Sequence, residues 1–215
     1  MTTEPREFIR ANTALIAPPL VPEIKLHLAT EVVPLWRKTE EELAEEGVPP
    51  PYWAFAWAGG QALARYVLDN PETAKGKTVL DFGAGSGLVA LAASRSGAAH
   101  VLAADIDAFS QAAIQLNAQS NGLSVECTGD DVIGTKGNWQ TILVGDMCYE
   151  RPLAERLIAW LAECIGRGAL VLVGDPGRSY FPKSGMEKLS TYQVAVSRDL
   201  EDREIRETSV YKFLG

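Results

Sequence analysis

Histidine is scarce in this chain. Of 215 residues only His27 and His100 are histidines, and neither has a partner at ligand spacing, so a clustered metal site is not expected. Cysteine is scarce too: Cys127, Cys148 and Cys164 are odd in number and form no C-x-x-C pair. They read as reduced thiols of a cytosol instead of a disulfide or zinc framework. No stretch approaches the roughly 18 apolar residues of a membrane span. The opening "MTTEPREFIRANTAL" has neither a hydrophobic signal core nor an Arg-rich transit pattern. Positive charge is in deficit as well. A net charge of −8 and a pI near 4.9 disfavour duplex nucleic acid, which needs a basic footprint. The same acidity suits solubility, or attraction of a basic protein surface.

What is present is ample apolar residue, 47% of the chain, enough for one globular domain with a full core. Two parts are expected within it. Residues 1–70 form an irregular N-terminal extension: a short helix near Pro5 to Asn12, an alternating strand "EIKLHLA", an acidic helix "TEEELAEEG" and a Pro-rich turn. In the strand, Ile24, Leu26 and Leu28 share one face, with Lys25 and His27 on the other. In the acidic helix, Thr39 and Glu42 make a capping box and Gly47 a stop.

Residues 71–215 form the core. "TVLDFG", "HVLAADID", "SVECTGD", "TILVGD" and "ALVLVGD" are short apolar runs with helical segments between most of them, the pattern of a parallel sheet covered on both faces. "TYQVAVSRD" and "REIRETSVYKFL" follow with no helix between them and read as a closing antiparallel hairpin.

The first of those strands runs into glycines at Gly83, Gly85 and Gly87. A dinucleotide fingerprint would place a third glycine where Leu88 stands. Glycines after a strand let a ligand approach the backbone at a helix N-terminus. Asp105, ending the next strand, stands where an acid hydrogen-bonds ribose hydroxyls. Asp81 before the glycines, Asp105 and the terminal antiparallel pair together resemble the seven-stranded, Rossmann-like methyltransferase fold that binds S-adenosylmethionine. The resemblance implies that Gly83, Ala84 and Gly85 approach the methionine portion and Asp105 the ribose. Asp130 would face the adenine, with Asp131 as its rival, while Asp81, Trp139 and Gly145 line the pocket. No metal is implied, and the product would be S-adenosylhomocysteine.

The strand "TILVGD" ends in Asp-Met-Cys-Tyr, residues 146–149. In an open parallel sheet, ligands sit beyond the carboxyl ends of the strands, so Asp146 and Tyr149 should stand beside the transferable methyl group. This D-x-x-Y, the block "PYWAFAWAGGQALARYVLDNP", "GDPGRSYF" and "PEIKLHL" together resemble the electron transfer flavoprotein β-subunit lysine methyltransferases. The resemblance implies lysine methylation on that subunit, Asp146 and Tyr149 as the catalytic pair, and Trp57 bordering the cofactor. Asp146 would accept a hydrogen bond from the lysine ammonium and orient the amine.

Animal members of the family carry a mitochondrial leader, so a bacterial cytoplasm is expected here. No dimerisation stripe is evident, and a monomer is expected. Other acceptors remain open, a ribosomal protein or a small amine among them. A non-catalytic binding module is disfavoured by the intact Gly83, Gly85, Asp105 and Asp146.

Overall fold

The computed structural model describes residues 4–30, 35, 38, 42–43, 49–196 and 204–215. The expected acidic helix, with its Thr39 cap and Gly47 stop, lies outside the described residues except for Glu42 and Leu43.

The N-terminal helix forms as its sequence predicts. Helix α1 (Pro5–Asn12) has proline in its first turn, and the Glu4 side chain accepts the Glu7 amide at 2.9 Å, satisfying one of the orphan donors of a helix start. Strand β1 (Ala14–Ile16) pairs antiparallel with β2 (Leu26–Leu28). Ile24, Leu26 and Leu28 are buried, as the alternation requires. A 3₁₀ turn, Tyr52–Ala54, leads to helix α2 (Ala58–Asp69).

The sheet follows, with helices between most of its strands: β3 (Thr78–Phe82), α3 (Leu88–Arg95), β4 (His100–Ala104), α4 (Ala108–Asn121), β5 (Glu126–Thr128), β6 (Thr141–Gly145), α5 (Arg151–Gly166), β7 (Leu170–Asp175), β8 (Met186–Ala195) and β9 (Ile205–Phe213). Its spatial order is β5-β4-β3-β6-β7-β9-β8. The first five strands run parallel, and β9 and β8 close the sheet antiparallel. The five parallel strands and the closing pair read from the sequence are all present, although β8 begins at Met186, ahead of the expected "TYQVAVSRD".

Neighbouring residues of each strand go to opposite faces, which explains the unbroken apolar runs. Val79, Leu143 and Leu172 pack with Leu63 and Val67 of α2 and Leu91 of α3. Leu80, Ile142 and Val171 pack with Leu157, Trp160 and Leu161 of α5. A third cluster ties α1, the 3₁₀ turn and α4 together through Phe8, Trp53 and Phe109. Helix α2, from the segment expected to be an extension, thus covers one face of the sheet. The strand order reverses between β3 and β6, the kind of switch point that opens a crevice beyond the strand tips.

Candidate active site at the tips of β3 and β6

Two loops meet at this crevice. After β3, Gly83, Gly85 and Gly87 all have positive φ, 65°, 50° and 79°, a region closed to most side chains. The Gly85 amide donates to Asp105 Oδ2 at 2.8 Å, and the Asp107 amide donates to Asp105 Oδ1 at 3.0 Å. Asp105 therefore holds the glycine loop from the neighbouring strand, and burial pushes its carboxyl above the usual range. Beside it Ile106 is 76% exposed, an apolar side chain left open next to an acid. No motif or spacing in the sequence marks it.

Asp81 takes a different place. Its carboxylate is buried beneath the loop, where Oδ2 accepts the Ala90 amide in the first turn of α3 at 2.8 Å. Burial drives its pKa up to about 8, offset in part by that hydrogen bond. It supports the loop from below.

After β6 the chain turns at Asp146, a non-glycine residue with φ 59°. Its carboxylate is engaged on both oxygens. Oδ2 accepts the Gly60 amide at 3.0 Å; Oδ1 accepts Arg178 Nε at 3.0 Å and Nη2 at 2.7 Å. The expected open carboxylate awaiting an ammonium is thus already part of an ion pair. Neither Arg178 nor Gly60 had been singled out.

The Gly60 contact depends on a seam of glycines. Helix α2 begins Ala58-Gly59-Gly60, and its first turn lies directly on the ends of β6 and β7. A Cβ on Gly59 would collide with the Gly174 carbonyl and Asp146, and one on Gly174 with the Gly59 carbonyl. Gly145 approaches Gly60 in the same way, leaving 3.1 Å between a would-be Cβ and the Gly60 Cα. Gly145 is a packing glycine under α2. The signal was in the sequence: two adjacent glycines at the start of a helix are costly unless another backbone must come close.

The rim is aromatic. Tyr52 is 6.1 Å, centroid to centroid, from both Trp57 and Tyr149, and the Trp57 indole N–H donates to the Tyr52 carbonyl at 2.9 Å. The Arg178 guanidinium stands 5.7 Å from the Trp57 ring centroid. Tyr52 and Tyr149 are exposed, and burial of part of the ring raises the Tyr149 pKa. Trp53 turns the other way, fully buried and stacked on Phe109. Cys148 is buried, and the desolvation, with the charges of Asp175 and Asp146, pushes its thiol up to about 12. It is no nucleophile.

Of two expectations about neighbouring residues, one keeps its first choice and one comes out differently. Asp131 pairs with Arg156 at 2.7 Å, whereas among the described residues Asp130 bonds its local Thr128 hydroxyl, at 3.0 Å, so Asp130 is the better placed of the two to receive a ligand. Trp139 is not at the crevice. It precedes β6, packed edge-on against Trp160 at 5.9 Å, about 20 Å of strand away from the tip at the usual rise per residue. A residue flanking a strand can flank either end, and this one flanks the amino end. Among the described residues no group of histidine, cysteine and acidic side chains could hold a metal ion.

The site can be set beside known proteins. The family model for ribosomal protein L11 methyltransferase (PrmA) matches residues 61–142, a span that includes the glycine loop and Asp105 and stops short of Asp146. The electron transfer flavoprotein beta subunit lysine methyltransferase of Xenopus laevis is 39% identical over 218 residues, covering 98% of this chain and 87% of that protein. The Homo sapiens protein of the same description is 36% identical, with 98% and 82% covered. Among solved structures, the magnesium protoporphyrin IX methyltransferase of Synechocystis with bound SAM superposes with a TM-score of 0.53 at 17% identity, over 72% of this chain and 78% of that one. That likeness is one of fold, and it bears out the methyltransferase sheet read from the sequence.

Proposed function

The chain belongs to the family of electron transfer flavoprotein beta subunit lysine methyltransferases, and on that premise we infer that it methylates lysine side chains of an electron transfer flavoprotein beta subunit, using S-adenosylmethionine. Support for the cofactor comes from the crevice itself. The space above Gly85 is open, Asp105 stands beside it, and Ile106 offers an exposed apolar surface. These residues fit a ligand with ribose hydroxyls and a flat apolar base. Gly83, Ala84, Gly85, Asp105 and Asp130 would hold it, and when bound it supplies an electrophilic methyl group on a sulfonium.

The protein's own residues then account for the acceptor. Only a neutral amine is a nucleophile, and free lysine titrates near ~10.4. Asp146 is already paired with Arg178, so it serves to fix the strand tip, and the amine gives its proton to water before transfer. Tyr52, Trp57 and Tyr149 form the wall along which an aliphatic lysine stem can lie, with its cationic head against aromatic faces. Positioning supplies most of the rate; well-oriented reactants reach effective molarities of about 10⁵ M and above.

The observation that carries this reading is the meeting of the aromatic rim and the D-x-x-Y tip with the glycine loop at one crevice. The family model for the ribosomal protein methyltransferase stops at residue 142, before that tip. The test is to incubate the protein with S-adenosylmethionine and electron transfer flavoprotein and weigh the intact beta subunit. Mass gains in whole methyl units, mapped to lysine, are expected. An unchanged mass, with the cofactor bound, would remove this acceptor and leave the methyltransferase fold standing.

A further inference from the structure

Asp146 sits in a backbone conformation that a residue with a side chain enters at a cost, and it is held there by three separate parts of the chain. From α2, the Gly60 amide takes Oδ2. From the loop after β7, Arg178 forks onto Oδ1 with Nε and Nη2. From β7 itself, the Gly174 carbonyl accepts the Asp146 amide at 3.0 Å.

Arg178 is itself held. Asp175 Oδ1 accepts the amides of Gly177 and Arg178, both at 2.7 Å, and Gly177 turns with φ 88°. Two residues beyond Arg178, the Tyr180 amide donates to the Cys148 carbonyl at 3.1 Å, which ties this loop to the D-x-x-Y segment. Asp175 is buried, so the turn that launches Arg178 has a rigid base. A charge-assisted fork of this kind is both stronger and more directional than a single contact.

We propose that Arg178 is a positioning residue for methyl transfer: launched by Asp175, it clamps Asp146 and so fixes the direction in which the strand tip and Tyr149 present the acceptor amine. The proposal rests on the methyltransferase reading above. An exposed ion pair would add little, but this one secures a strained residue between two loops that form the crevice. Loss of the guanidinium removes the fork from the buried Asp146 carboxylate, and the tip relaxes. Cofactor binding is expected to survive, because Asp105 holds the glycine loop and Asp81 the start of α3 through other hydrogen bonds.

The full chain would be assayed as wild type, Arg178→Ala and Arg178→Lys on flavoprotein, with S-adenosylmethionine affinity measured separately by calorimetry. Arg178→Ala should lose kcat by about 100-fold, the cost typical of a small misplacement, with KM and cofactor affinity changed by no more than about threefold. Added methylguanidinium should restore a good part of that kcat, which a merely unfolded variant would not show. Arg178→Lys should fall between, since an ammonium cannot fork. Unchanged kcat, cofactor affinity lost in step with kcat, or no rescue by methylguanidinium would each overturn the proposal. Should the wild type leave the flavoprotein unmethylated, the acceptor reading fails, and the clamp is then decided without substrate. Thermal unfolding of Asp146→Asn, Arg178→Ala and the double variant would be non-additive if the two residues act together, and additive if they do not.

Discussion

Met147 lies across Gly83. A Cβ at that glycine would run into the methionine's Sδ and Cε, so the glycine loop after β3 and the strand tip after β6 share a surface with no side chain to spare on one side. Gly83→Ala therefore meets two obstacles, the contact and a φ of 65°. The backbone term alone is about 1–2 kcal/mol. Urea unfolding should show at least that loss, and titration calorimetry a weaker S-adenosylmethionine affinity. Adding Met147→Ala should recover only the part due to contact. Full recovery would mean that the backbone conformation carries no cost.

The glycine seam makes a sharper demand. At Gly174 the obstacle to a side chain is mostly the facing Gly59 backbone, and at Gly59 it is the Gly174 carbonyl together with the Asp146 carboxylate. Gly174→Ala should cost about 1–3 kcal/mol, as overpacking does, and should lower turnover more than cofactor affinity because it pushes α2 away from Asp146. Chemical denaturation paired with a methylation assay reads both. A stable, fully active Gly174→Ala would show that α2 can slide.

At the rim, the ring of Tyr149 is expected to matter more than its hydroxyl. Tyr149→Ala should lower kcat/KM for a lysine acceptor roughly 2- to 30-fold, the range given by losing one cation–aromatic contact. Tyr149→Phe should stay near wild type. Equal losses in both variants would shift the role to the hydroxyl.

Asp81 predicts a pH effect on stability. Its pKa is about 8 in the folded chain and about 3.9 when unfolded. Between those values the folded state holds a proton that the unfolded state has released, so stability falls as pH rises. The contribution is complete below about pH 4 and is lost on passing through pH 8. Asp81→Asn keeps an acceptor for the Ala90 amide and does not titrate. Its melting temperature, followed by calorimetry from acid to mildly alkaline pH, should decline less steeply than that of the wild type. Parallel curves would mean that the Asp81 carboxylate is ionised throughout.

The parallel part of the sheet was legible because its strands are short apolar runs and the loops at their carboxyl ends are marked by glycine or aspartate. Periodicity is local, and so is that signal. Asp105 and the glycine loop could be found the same way. Arg178 could not: it reaches Asp146 across 32 residues, and Gly60 reaches it across 86, distances at which no spacing rule operates. Nor does spacing show that Asp146 is already paired, or that Trp139 stands at the wrong end of its strand to meet a ligand. The phrase "GDPGRSYF" carried a family likeness without revealing that its arginine completes the site. Only the packing of α2 and the loop after β7 onto the tip of β6 does that.

The seam of Gly59, Gly145 and Gly174 also says where this architecture can change. Where backbones touch, there is no side chain to exchange, and every substitution adds bulk. The seam can be lost but not tuned. Tyr52 and Tyr149 are exposed, so a lineage that acquires a new acceptor protein would be expected to do so by trading these rings, leaving the glycine seam as it is.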